Sequence, residues 1–450
     1  MAEEKKYNYW LHSGMYSLLQ RLSVMLFGIA SFFVLARALS TEQMGAWALF
    51  LAITANLELI RYSIVKNGFI KYLSSSDKSH NEIITAALLL NVLVTLAMII
   101  VLLLFMPYLS GFLKAPGLTR IMYIFIIGLI LLIPFSHFEW IQNARADFKG
   151  IFLAHLTRQL FWFLLMMTHL FAYGSISLAA LSLYYSMGIL AGGVTAFMYS
   201  RKYLGTRFVF VKDWFMKLWH FGKVILGSAA SSMVFKNVDQ FVISNLISLT
   251  AVALYGTSIR IINLLDLPSH IIADIMFPMS AKVNVQGNAQ QLRYMYEKSV
   301  GAILSVIIPL IVFIFAFPEL LLIVLAGKKY IGAAFILRLM LVNSIFTVFI
   351  KQFATILDSG GKARINFLII TIMAVLSIIF CYFLARNFGV AGASLGITAA
   401  HFVGFCGSQY YLNKHYGIRF WKCFGYAVSF YPEMYGILKD RFLLKWRTNF

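Results

Sequence analysis

The chain has 450 residues, of which 61% are hydrophobic and only 12% charged, with a formal net charge of +21 and a mean hydropathy of +0.81. Such values lie far outside the range of soluble domains and exclude a globular cytosolic or secreted protein. They describe an all-α polytopic membrane protein. The basic surplus is spread over loops as the positive-inside rule requires, which argues against nucleic acid as a partner.

Apolar runs of about 20 residues, the length a helix needs to cross a bilayer, occur near 14–36, 45–65, 83–106, 121–141, 153–173 and 177–199. The second half supplies 222–247, 252–277, 299–323, 332–356, 365–385 and 389–411. About twelve spans are therefore expected, six per half. The start, MAEEKKYNYW, sets acids beside lysines and precedes an apolar run without a small-residue cleavage site. No cleavable signal is expected, and both termini are expected in the cytoplasm, with the chain in the cytoplasmic (inner) membrane.

In the first span, Arg21 stands about two turns inside the cytoplasmic end, where it either snorkels to the interface or aims its fork at a phosphate. Ser40 or Thr41 can cap the second helix, with Glu42 beside its positive end. The second span carries Asn56, Glu58, Arg61 and Lys66. Glu58 and Arg61 are three apart, share a face and are expected to pair. Glu139, beyond Pro134 in the fourth span, is either interfacial or a proton-carrying group. Arg158 falls in the cytoplasmic half of the fifth. Trp140, Trp162, Tyr184 and Tyr185 are either core and belt residues or faces for sugar rings.

Between the halves lies the basic cluster Arg201, Lys202, Arg207, Lys212, Lys217 and Lys223, read as an anchor on anionic membrane lipids. Lys236 and Asp239 share a face of the seventh span, either as a fixed pair or with the lysine released to an anion. Arg260 follows in the eighth. Asp266, His270 and Asp274 come at four-residue intervals past Pro268, either a proton relay or a hydrogen-bonded seam. Arg338 and Lys351 complete the basic set in the tenth span. A charge at bilayer depth costs at least about 2.5 to 3.5 kcal/mol, so these groups must face protein or a wet cavity. Their balance is cationic. Beyond about 412 the chain is aromatic and basic and is expected to lie on the membrane surface. Cys381, Cys406 and Cys423 have no metal or disulfide spacing and read as packing residues.

The halves resemble each other. A shift of about 208 positions sets His220 and Gly222 on His12 and Gly14, Ser248 on Ser40, Tyr255 on Trp47 and Asp266 on Glu58. Slightly larger shifts align Asp147 and Gly150 with Asp358 and Gly361, and Tyr173 and Gly174 with Phe388 and Gly389.

The turn from Leu35 to Gly45, together with Phe221-Gly222-Lys223, Asp239-Gln240-Phe241-Val242-Ile243, Tyr255, Ser258-Ile259-Arg260 and Pro278, resembles the Wzx-type polysaccharide (O-antigen) flippases of the multidrug/oligosaccharidyl-lipid/polysaccharide (MOP) exporter superfamily. The resemblance implies two six-helix bundles, 1–210 and 211–412, related by a pseudo-two-fold axis along the membrane normal, with 413–450 as a tail. It implies a central cavity open alternately to each face. The implied substrate is a polyprenyl-pyrophosphate-linked oligosaccharide, moved from the cytoplasmic to the outer leaflet beside a polysaccharide polymerase and glycosyltransferases.

Under that reading Arg21, Arg61, Arg158, Lys236, Arg260 and Lys351 are the candidate anion-binding groups. Glu58, Glu139, Asp239, Asp266, His270 and Asp274 are the candidates for ion pairing or for proton or sodium coupling. No metal or other cofactor is expected. A drug/cation antiporter of the same fold should keep an acid in its first span, where this chain has Arg21. A lipid II flippase would usually add two C-terminal helices. An integral-membrane polymerase or glycosyltransferase would need a large outward loop or soluble domain, and every outward loop here is short.

Overall fold

A computed structural model describes residues 2–75, 80–205, 207–432 and 435, with only the backbone described for 2–14, 75 and 228–237. Among the described residues there are helices and turns and no strands. The chain forms two compact units, 1–233 with 248–253, and 234–247 with 254–450.

In the first unit α1 is Ala2–Ala38 and α2 is Thr41–Arg61, which runs through a five-residue π-helical turn, Tyr62–Lys66, into α3, Asn67–Ser75. Then come α4 (His80–Phe112), α5 (Pro116–Ala144), α6 (Phe148–Tyr173) and α7 (Leu178–Ser200). Ser40 caps α2 in a full capping box with Gln43, each side chain binding the other residue's backbone N–H, so two of the helix's orphan donors are satisfied. Helix α7 lies against both α5 and α6, and α1 runs along α6. At one end of the unit Val65, Phe69, Leu73, Ile83, Trp140 and Ile141 form a buried cluster.

Helix α8 (Lys212–Leu246) contributes to both units. The second unit continues with α9 (Leu249–Leu265), α10 (Leu267–Val285), α11 (Ala289–Ala316), α12 (Pro318–Leu325), α13 (Ala334–Ser359) and α14 (Ala363–Tyr416). Helices α9 and α10 bend by 43° at their junction, where Asp266 precedes Pro268 and continuation of the α9 ladder fails. Helix α13 packs on α10, α11 and α14.

Nine described helices are long and apolar enough to cross a membrane, or ten if the bent α9–α10 pair is one span. Helix α14 has 54 residues, about 80 Å at 1.5 Å per residue, far more than one crossing requires. It breaks at Gly389, whose φ of +61° is non-helical, between the runs expected at 365–385 and 389–411. Its repeat counterpart Gly174 ends α6 with φ +70°. Both positions need the left-handed region that glycine enters without penalty. Ser248 likewise matches Ser40, accepting from the N–H of Ala251 at 3.1 Å at the start of α9.

Large apolar side chains such as Leu26, Leu104, Phe105, Phe171 and Val312 are exposed on the helices. For a chain of this hydropathy that surface is the lipid contact.

One expectation is corrected. The segment after Gly417 does not simply lie on the membrane surface: residues 420–432 are helical and run beside α11. Arg419 N–H donates to Glu297 at 3.0 Å, Cys423 and Ala427 are buried in the cluster holding Val300 and Leu304, and Tyr431 donates to the Ser305 carbonyl. From Glu297 to Ser305 is about 12 Å along the helix. Hydropathy misses this because the exposed side of the segment carries Lys422 and Trp421. Residues 433, 434 and 436–450 lie outside the described residues.

Candidate functional site

The first unit holds a buried ionic network contributed by α2, the π turn, α5, α6 and α7. Arg158 of α6 donates from Nη2 to Glu58 Oε1 at 3.1 Å and to the Tyr185 hydroxyl at 3.0 Å. Its guanidinium lies over the Phe135 and Tyr185 rings. Helix α7 can approach α6 here because it presents glycines: a Cβ on Gly192 would sit 2.8 Å from Arg158 Cβ, and one on Gly188 2.8 Å from Trp162 Cβ. Small residues that let membrane helices meet closely thus place the arginine.

Glu139 of α5 is buried. It accepts from Lys66 Nζ at 3.1 Å and from the Tyr62 hydroxyl at 3.4 Å, and His155 Nε2 of α6 stands 3.7 Å away. Lys66 and Tyr62 are the two ends of the π turn's grip on Glu139, a local widening of the kind often found at functional positions. Three side chains from two other elements thus enclose Glu139.

Arg61 is 1% exposed, and its Nε, Nη1 and Nη2 have no hydrogen-bond partner. The expected pairing with Glu58 on the same face is not formed, since Arg158 has taken that carboxylate. An unpaired guanidinium inside a protein is expensive, several kcal/mol in the usual case. Among the described residues the network around it holds three cations, Arg61, Lys66 and Arg158, against two carboxylates, Glu58 and Glu139.

In the second unit Lys351 of α13 pairs with Asp266 at the α9–α10 break and lies 2.8 Å from His270 Nε2. Asp274, one turn on, is exposed. Asp266 and His270, the first two members of the expected stripe, thus both meet Lys351. Asp239 is buried, accepting from the Tyr255 hydroxyl at 2.6 Å and the Gln240 N–H at 2.8 Å. Arg260 is half-buried in the neighbourhood of Tyr330, and Arg338 pairs with Glu319 at 3.0 Å. Arg21 is exposed on α1. The side chain of Lys236 lies outside the described residues.

Tyr62 and His155 were not singled out by the sequence. The signal available for His155 was its spacing, three residues before Arg158 on one face of α6. For the π turn there was none. Among the described residues no group of His, Cys, Asp or Glu is arranged to hold a metal ion, and the three cysteines are unbonded to one another.

Residues 34–335 match the family model described as "Polysaccharide biosynthesis protein". The chain is 25% identical over 214 residues to an uncharacterized membrane protein, MJ1068, of Methanocaldococcus jannaschii, a match covering 47% of this chain and 42% of that one. It thus spans less than half the length of that relative. Among solved structures it is similar to the lipid II flippase MurJ in an inward closed conformation, with a TM-score of 0.76, 13% identity and coverage of 95% of this chain and 92% of that one. It is also similar to an inward-facing multidrug resistance MATE family transporter of the MOP superfamily, with a TM-score of 0.75, 14% identity and coverage of 86% and 94%. Taken with its apolar helices, these matches make the chain a multi-pass membrane protein of the polysaccharide biosynthesis protein family, with the fold of the MOP flippases and transporters.

Proposed function

We propose that this protein is a flippase for polyprenyl-pyrophosphate-linked oligosaccharides, carrying the anionic head and its sugars outward while the lipid tail stays in the bilayer. The observation that carries the reading is an unspent cation in the first unit: Arg61 has three buried nitrogens without an acceptor, in a network that among the described residues has one more cation than carboxylate. A site built this way has capacity for one further anion. A cationic drug would add to the surplus. Pyrophosphate matches it, because Arg158 offers an orientable fork and Lys66 a mobile point charge.

Membership of the polysaccharide biosynthesis family supports a glycan on that anion, made by glycosyltransferases at the cytoplasmic leaflet and used by a polymerase outside. A negative-inside membrane potential favours outward movement of the anion by about 2.3 kcal/mol per charge per 100 mV. Proton or sodium counter-flow through the acidic residues would add to that drive. The Lys351–Asp266–His270 group beside a broken helix is the second unit's candidate, since discontinuous helices commonly carry transporter sites.

The test is reconstitution into vesicles with a fluorescent polyprenyl-pyrophosphate disaccharide, followed by reagent access to the sugar from the opposite side. Time-dependent exposure of the sugar is expected, with Arg158→Ala reducing it at least about tenfold. Vesicles that export ethidium while the sugar stays protected would replace this reading with a cation exporter.

A further inference from the structure

We infer that Glu58 is an internal stand-in for the substrate's anion, a carboxylate that occupies Arg158 while the site is empty and swings to Arg61 when an anionic head group takes its place. The inference rests on the flippase reading and assigns the two residues roles in it. Glu58 and Arg61 are positioning residues; Arg158 is the ligand.

The burial pattern sets the roles. Glu58 is the most open member of the pair it forms, its side chain 17% exposed against 7% for Arg158. The carboxylate is therefore the more reachable partner of the pair. Its oxygen makes the contact a phosphate oxygen would make, and the Tyr185 hydroxyl accepts from the same Arg158 nitrogen. An incoming pyrophosphate must displace Glu58, and a displaced carboxylate inside a membrane protein needs a new partner.

Arg61 is that partner. It stands three residues along the same helix, on the same face, and its donors are unoccupied. Among the described residues no neighbouring acid competes for it: Glu139 is taken up by Lys66 and Tyr62, with His155 beside it. Arg61 is itself only 1% exposed, too deep to meet a bulky head group but well placed to receive a side chain from its own helix. The exchange conserves the ion pairs. One carboxylate–guanidinium contact opens, a second closes, and one of the ligand's negative charges meets the surplus cation.

The experiment is a double-mutant cycle on the full chain purified in detergent, titrated with geranyl pyrophosphate and followed by calorimetry. Glu58→Gln removes the competitor and is expected to tighten binding at least about fivefold; Arg61→Met removes the receiving cation and is expected to weaken it at least about fivefold. In the Glu58→Gln background Arg61→Met should change affinity less than about twofold, because no displaced charge remains to be received. Arg61→Lys keeps a receiving cation and should bind within about threefold of the parent.

If Arg61→Met weakens binding equally in both backgrounds, Arg61 is a direct ligand and the exchange is wrong, with the flippase reading intact. If Glu58→Gln does not tighten binding, Glu58 is not a competitor and the exchange is again wrong. If the parent binds no geranyl pyrophosphate while Arg158 variants behave identically, the anion site itself fails and the exchange falls with it. Each variant is first checked for a single elution peak matching the parent, and Arg61→Lys carries the test should Arg61→Met aggregate.

Discussion

Glu58 and Arg61 stand three residues apart on one face of α2, yet the Glu58 carboxylate is bound by Arg158 of α6, Oε1 to Nη2 at 3.1 Å. The shorter-range pairing is the one helix geometry offers. It loses to a partner 100 residues away because Arg158 is also held by a bond it donates to the Tyr185 hydroxyl and by the aromatic faces of α5 and α7. Arg61 is left buried without an acceptor, and the first expected outcome follows from that.

Arg61→Met should raise the thermal stability of the ligand-free protein. It deletes a buried charge that no hydrogen bond offsets and fills a similar volume with an apolar chain, a change worth about 1 kcal/mol or more. Scanning fluorimetry in detergent reads it. A lower melting temperature would mean that Arg61 is already stabilised in the empty state.

Lys66→Met and Glu139→Gln should each destabilise by up to about 3 kcal/mol, because each strands one member of a paired site. The double variant should cost less than the sum of the two, since neither charge then remains. Additive losses measured by chemical denaturation would show that the two residues act independently.

Gly192→Leu should abolish transport while the protein still inserts into the membrane. A Cβ at this position already meets Arg158 Cβ at 2.8 Å and the Ala154 carbonyl at 2.9 Å, so a larger chain pushes α6 away and misplaces Arg158. Gly28→Leu, where an added Cβ meets nothing within 4 Å, is the control and should transport normally. Equal activity in both variants would remove α7 from the positioning of the site.

In a variant retaining Cys423 alone, maleimide should react at least about a hundredfold more slowly with the folded protein than after denaturation, because reaction requires the segment to undock. Cys423 is fully buried against α11. Comparable rates in the two states would restore a tail lying free on the membrane surface.

The sequence by itself determined the apolar runs, a cap for α2 at Ser40 or Thr41, the repeat that sets Ser248 on Ser40 and Gly389 on Gly174, and the membrane class, because hydropathy, capping and left-handed φ are settled within a few neighbouring residues. It also named Arg61, Arg158, Glu58 and Glu139 as charges too costly to face lipid. Which of them meet was decided only by tertiary structure. Arg158 reaches Glu58 through the packing of α6 on glycines of α7, Glu139 is enclosed by a π turn that has no local signature, and the helix after Gly417 docks on α11 through side chains that hydropathy scores as polar. Pairing of charges depends on distances between helices far apart in the chain, and those distances are fixed by the shapes packed between them.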